Sequence, residues 1–309
     1  MTSQPIDDVG LDLTAPEEIP AERRRRASRG LLIWLRMRRS PRFWIGSTVV
    51  GLLILWAVFG PFLYPWKANQ QDLFNTASPP TALHWLGTDA VGNDMYALVM
   101  AGLRTSLVIG LTAGPAATLI AAIVGSFAGY LGGRVDAVIS WLINLLLVIP
   151  SFFILIMVTP ALKHFVTVGL IIGIAAFGWM VMGQVVRGQA RSLRQRDFVR
   201  AARYMGISTP EIIGRHIIPN MASLLIIDAT LGVVAAVMSE TALSYFGFGI
   251  QPPATSIGTL LANNTQAATT QPWMFLSPAV VLVVLLFGVS LVGEAFRDAI
   301  DPTSGAARD

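Results

Sequence analysis

The stretch from Arg187 to Asn220 reads RGQARSLRQRDFVRAARYMGISTPEIIGRHIIPN and lies between two long apolar runs. Its seven arginines hold it in water while its flanks leave water. Two short helices are expected in it. The first runs from about Asp197 to Met205 and stops at Gly206, a residue type that ends helices by turning left-handed. Thr209 then caps a second, with Pro210 at its first position and Glu211 in its first turn. Pro219 ends that helix where the chain becomes apolar again. Ala201 and Ala202 leave a flat surface for close approach, and Phe198 and Tyr204 offer the aromatic anchors that dominate interface energetics. A polar helix–turn–helix held between apolar runs is an element that a partner in water can grip.

The flanking runs set the fold. A spanning helix needs about 20 apolar residues to cross roughly 30 Å of hydrocarbon. Phe165 to Val186, just before the loop, qualifies without a charge, and the run from about Met221 to Tyr245, just after it, qualifies with two carboxylates in it. Four more segments qualify: Phe43 to Tyr64, about Thr105 to Tyr130, about Val138 to Pro160, and Met274 to Gly293. Six spans make an all-α membrane protein. Composition agrees, with 54% hydrophobic and only 13% charged residues among 309. A soluble domain carries about a quarter charged residues.

Lysine and arginine set the orientation, because they accumulate on the cytoplasmic side. Nine arginines lie between Arg23 and Arg42, before the first span, and seven between Arg187 and Arg215. With Arg134, Arg297 and Arg308 on the same side, only Lys67, Arg104 and Lys163 remain for the other. Both termini are therefore expected in the cytoplasm, and the outward loop from Phe246 to Trp273 has no charge at all. Net charge is +4, but the basic residues form topology anchors facing anionic membrane lipid, not a nucleic-acid surface. The first 22 residues include Asp7, Asp8, Asp12, Glu17, Glu18 and Glu22, which is not the basic start of a signal peptide. That stretch reads as a disordered tail.

Within the spans, Gly110 with Gly114, and Gly125 with Gly129 and Gly133, have the spacing that lets helix backbones approach closely. Pro115 and Pro150 are expected to kink the second and third spans. Asp228 and Glu240 fall in the fifth. A carboxylate at the bilayer centre costs about 2.5–3.5 kcal/mol, so both must face protein or water. Either they line a transport path or they bond to neighbouring helices, and Asn144, Gln184 and Glu294 pose the same choice. The turn Gly87-Thr88-Asp89, with Gly92 and Asp94, has too few oxygens at a calcium spacing for a metal site and is expected to fold the outer loop against the helix that follows. Cysteine is absent, and the three histidines (His84, His164, His216) share no ligand spacing, so no metal site is expected.

The loop resembles the "EAA" loop of ABC importer permeases, E-A-A-x3-G-x9-I-x-L-P, through Ala201, Ala202, Gly206 and Pro219 at the required spacing. Ile218 stands where leucine is usual, Arg200 replaces the glutamate, and His216 replaces the isoleucine, as is common in the peptide-importer branch. SPRFWIG (Ser40 to Gly46), LGTDAVGNDMYALVMAGLRTSLVIG (Leu86 to Gly110), LSYFGFGIQPP (Leu243 to Pro253) and GEAFRDAIDP (Gly293 to Pro302) are similar to segments of the C-type dipeptide and oligopeptide permeases. The resemblance covers roughly residues 40 to 302.

It implies the type I ABC importer permease fold in the bacterial cell membrane. Residues 1–42 form a tail and basic anchor, 43–64 an extra first helix and 65–104 an extracytoplasmic loop. Residues 105–302 form the transmembrane domain with its coupling loop 187–220, and 303–309 a cytoplasmic tail. A second homologous permease, two cytoplasmic ATPases and an extracytoplasmic peptide-binding protein are the implied partners. The implied docking residues are Asp197, Phe198, Arg200, Ala201, Ala202, Arg203, Tyr204, Met205, Gly206 and Pro219. Asp228 and Glu240 are candidates for the path. ATP and Mg belong to the ATPases; this chain has no G-x-x-x-x-G-K-[ST] loop, binds no cofactor and is no enzyme alone. Nickel chelates, glutathione or oligosaccharides are alternative cargoes of the same architecture. A secondary transporter would need repeats that this sequence does not display, and a membrane hydrolase would need a catalytic pair absent from its spans.

Overall fold

The computed structural model describes residues 29–159 and 165–300. The expectations for residues 1–28, Pro160, Lys163, His164 and the 303–309 tail lie outside the described residues. Twelve α-helices run in chain order through these ranges: α1 (Arg29–Arg39), α2 (Pro41–Leu63), α3 (Met95–Leu131), α4 (Gly133–Val148), α5 (Ser151–Val158), α6 (Val166–Gly178), α7 (Met180–Leu193), α8 (Asp197–Tyr204), α9 (Thr209–Ile212), α10 (Ala222–Tyr245), α11 (Ile257–Asn264) and α12 (Pro272–Ile300). Pro41–Leu63, Met95–Leu131, Thr209–Tyr245 and Pro272–Ile300 are each long and apolar enough to cross a membrane. The bent pairs α4–α5 and α6–α7 meet the same test jointly, so the described residues hold four spans, or six if each pair counts as one. Large apolar side chains lie bare along these helices, including Phe62, Leu63, Val148 and Met157 at 80% exposure or more. Water could not solvate such a surface without association or collapse, so the chain is an integral membrane protein.

The centre of the bundle is α3. Half of its most apolar stretch is buried, against 17% for α2 and 22% for α12. It packs along α10 on one side and α7 on another, with α6, α2 and α11 filling in. Small residues make these contacts possible. A Cβ on Gly114 would sit 2.5 Å from the Gly232 backbone of α10, and one on Gly125 would sit 2.6 Å from the Gly183 carbonyl of α7. Gly110 meets Val233 and Val237, and Gly129 meets the Arg187 backbone. Four of the five spaced glycines thus join helices of one chain. Gly133 does not, because it follows the left-handed Gly132 at the start of α4 and has open space beside it.

The two prolines behave differently. Ile149, before Pro150, is extended as a residue preceding proline must be, and the α4–α5 pair bends by 78° there. α3, however, continues unbroken past Pro115, clamped by its glycine contacts to α10. A second bend of 43° falls at Trp179 between α6 and α7, where no proline marks it. Its indole lies across Gly183, 2.9 Å from where a Cβ would be, and Gly178 loosens the backbone beside it. α3 also begins at Met95 and not Thr105. Its N-cap Asp94 accepts from the Ala97 N–H at 2.8 Å, and Arg104 is simply carried on the helix.

Candidate functional site

The arginine-rich loop forms an elbow. α8 starts at Asp197 and ends at Tyr204, and Gly206 turns the chain with φ +80°. The Gly206 N–H donates to the Arg203 carbonyl at 3.1 Å and the Ile207 N–H to the Ala202 carbonyl at 3.2 Å, closing the helix end. Ser208, not Thr209, holds the N-cap position of α9, with Thr209 and Pro210 already inside the helix. Pro219 does not end this second helix. It disturbs it: residues Ile213–Ile217 widen into a π-helical turn and Ile218–Met221 tighten into a 3-10 turn before α10 continues. A proline inside a helix lacks its donor and crowds the carbonyl one turn back, and a wide turn followed by a tight one absorbs both. The Asn220 amide donates to the His216 carbonyl at 2.6 Å across that irregular stretch.

One face of the elbow is rooted and the other free. Val199 and Ala202 are about 1% exposed and join Ile212, Ile213 and Ile217 in a single apolar cluster with Ala121, Tyr130, Val186 and Ala190 of α3 and α7. Ala202 therefore belongs to the root, which narrows the expected close-approach surface to Ala201. Tyr204 (83%) and Met205 (72%) are bare at the tip. Phe198 is half-exposed and lies against the ring of His216, while Asp197, Arg200 and Arg203 face outward. At the base, Asp136 of α4 pairs with Arg187 of α7, with one guanidinium N–H donating at 2.9 Å.

The two carboxylates of α10 have unlike surroundings. Asp228 accepts from the Thr118 hydroxyl of α3 at 2.6 Å and opens on a cavity of about 280 Å³ between α3, α5, α6 and α10. Small side chains dominate that cavity's wall, with Ser151 and Ser239 adding hydroxyls. Glu240 is fully buried and is not part of that cavity's wall. It accepts from Ser106 of α3 at 3.0 Å and from Ser244 at 2.6 Å. Those serines in turn accept from the backbone N–H groups of Ile257 and Ile250, so Glu240 knots the turn after α10 to both central helices. Replacing Glu240 by alanine leaves two buried hydroxyls without an acceptor, about 1–3 kcal/mol each. The variant is expected to melt at a clearly lower temperature in detergent, with Glu240→Gln between it and the parent; an unchanged melting temperature for the alanine variant would contradict the knot. Gln184 donates to Asn144 at 3.0 Å, and Glu294 pairs with Arg42 at 3.7 Å, so those polar groups bind helix to helix.

A third cluster orders the segment before α3. Asp94 is buried and accepts from the Tyr64 hydroxyl at 2.8 Å while capping α3, and Nδ1 of His84 lies 2.8 Å from the same carboxylate. Asp72 faces Nε2 of His84 at 3.3 Å. The Asn75 amide, then the Phe74 N–H and His84, hold the Asp72 carboxyl below its usual range. Asp89 accepts from the backbone of Val91 and Asn93, and Gly87 and Gly92 take positive φ. The loop is folded against the helix as its glycine and aspartate spacing suggests. The partnership of His84 with Asp72 and Asp94 has no signature in sequence.

A multi-span helical protein with a polar elbow rooted among its central helices defines a class of membrane permeases. The chain belongs to the family described as binding-protein-dependent transport system inner membrane component, whose sequence model matches residues 121–304. Residues 28–80 match the N-terminal TM domain of oligopeptide transport permease C. The oligopeptide transport system permease protein OppC of Mycobacterium tuberculosis is 45% identical over 284 residues, 91% of this chain and 97% of that protein. OppC of Bacillus subtilis is 33% identical, covering 89% of this chain and 92% of its own length. The dipeptide transport system permease protein DppC of the same organism is 32% identical, covering 87% and 84%.

Proposed function

We propose that this chain is the transmembrane permease subunit of an ATP-driven, binding-protein-dependent importer of di- and oligopeptides in a bacterial cell membrane. Six spans with both termini in the cytoplasm form the translocation pathway with a second, homologous permease. Two ATPase subunits, which use ATP and Mg, seat the elbow in their grooves, and an extracytoplasmic binding protein delivers the peptide. The observation that carries this reading is the rooting of α8: Val199 and Ala202 pack in one apolar cluster with α3 and α7, while Tyr204 and Met205 stand bare at the tip. A force applied at Tyr204 or Met205 reaches the central helices without a soft joint. Closing of an ATPase dimer then moves the spans as rigid bodies, and hydrolysis resets them. Along the path, Asp228 meets the peptide's ammonium terminus, and Glu240 holds the fold.

Two results test it. In vesicles containing the purified assembly, labelled peptide uptake is expected to need ATP; uptake driven by an ion gradient without ATP would overturn the reading. Asp228→Asn is expected to lower uptake of peptides with a free amino terminus about tenfold, since a charge-assisted bond is exchanged for a neutral one. N-acetylated peptides should be unaffected, and an equal loss for both would remove Asp228 from the path.

A further inference from the structure

Positive residues are rare at the end of the bundle opposite the elbow, and the two that are described there share one cavity. Lys67 and Arg104 both line a space of about 350 Å³ between the ends of α2 and α3 and the turn at Pro253–Thr255. Neither makes an ion pair among the described residues. Asn69, Thr105 and Thr255 add neutral polar groups to the wall, and the buried indole N–H of Trp66 has no acceptor among the described residues. No carboxylate lines the cavity. Two cations without a carboxylate around one space call for an anion.

The surroundings say which kind. About 20 residues of helix, roughly 30 Å, separate Arg104 from Val124, one hydrocarbon thickness. Just beyond that point Gly129 meets the backbone of Arg187, at the root of the arginine-rich loop. Arg104 therefore sits at the opposite hydrocarbon boundary. Below it, on the same face of α3, Val108, Leu111 and Leu119 are exposed by 45%, 45% and 61%, an apolar ridge one acyl chain wide. Around it, Trp56, Tyr64, Trp85 and Tyr96 form a contiguous aromatic group, with Trp66 against His84 beside them, and such aromatic residues gather at headgroup depth. A small water-soluble anion has no use for the ridge.

We infer that this cavity holds the phosphate of an anionic glycerophospholipid, with one acyl chain lying down the exposed face of α3. A zwitterionic headgroup would bring its own cation against Lys67 and Arg104, so an anionic one is favoured. The site does not depend on what the protein transports.

The test uses the full chain in phosphatidylcholine nanodiscs with increasing phosphatidylglycerol. Phosphatidylglycerol is expected to raise the melting temperature of the parent in a saturable way. Lys67→Gln with Arg104→Gln should need about tenfold more of it or more, two surface cations having been lost. Lys67→Arg with Arg104→Lys should respond like the parent. Lipid extraction and mass spectrometry of the parent alone give a reading independent of any variant, with phosphatidylglycerol expected to be enriched over the surrounding membrane. Equal responses of parent and glutamine variant, or no enrichment, would overturn the inference. So would the same stabilisation from inorganic phosphate or an N-acetylated peptide in pure phosphatidylcholine discs, which would assign the site to soluble anions or to a peptide carboxylate.

Discussion

Gly206→Pro is expected to bring ATP-dependent uptake to background while leaving the chain in the membrane in normal amount. Gly206 has φ +80°, and proline is confined to about −65°. The substitution also deletes the N–H that closes α8 onto Arg203. No atom beyond the chain neighbours lies within 4 Å of a Cβ at this position, so the effect is one of local backbone direction. That separates the two available variants. Gly206→Ala fits the space and meets only the left-handed penalty of about 1–2 kcal/mol, so it should keep partial uptake. Proline cannot make the turn, and the tip residues Tyr204 and Met205 would point elsewhere. No span is touched, which is why insertion should survive. If Gly206→Pro transported at half the parental rate or better, the elbow would not be the coupling element.

The second large effect is expected at the crossing of α3 and α10. Gly114→Leu places a side chain where the Gly232 backbone already lies, 2.5 Å from its Cβ position. A neighbouring side chain can change rotamer, but a neighbouring backbone can retreat only with its whole helix. Overpacking in cores costs typically about 1–3 kcal/mol, and this site belongs at the upper end or beyond. The variant should melt far below the parent in detergent, or fail to accumulate. Gly51→Ala is the control, since Gly51 has nothing within 4 Å and sits mid-helix in α2. It should be neutral or slightly stabilising by helix propensity. Equal melting of parent and Gly114→Leu would mean that the close crossing does not hold the bundle together.

Much of this was legible from residue chemistry. The apolar runs gave the spanning segments, and Gly206 gave the end of α8, because both follow from local rules. The glycine spacings gave close helix contacts without saying to which helix. What stayed hidden is long-range. The Ser106–Glu240 bond joins residues 134 apart in sequence, and nothing local distinguishes Glu240 in its serine knot from Asp228 beside a cavity. Pro219 is misleading because local rules make a proline a stop, whereas the chain absorbs it in a π turn and a 3-10 turn. The inward face of α8 did have a signal: Val199 and Ala202 are three apart on a helix with half of its other positions charged. That spacing places Ala202 at the root and leaves Ala201 outside. The bend at Trp179 had none, since it depends on an indole meeting a glycine one turn away.

The central claim is that this chain works as one part of an ATP-driven assembly, with its elbow as the joint. The most direct measurement is gentle detergent purification of the tagged chain from its native membrane, with mass spectrometry of everything that co-elutes. A second permease and two ATPase chains are expected with the parent, and the ATPases should be lost from Gly206→Pro while the second permease remains. A solitary, monodisperse chain with no ATPase at any detergent strength would contradict the account.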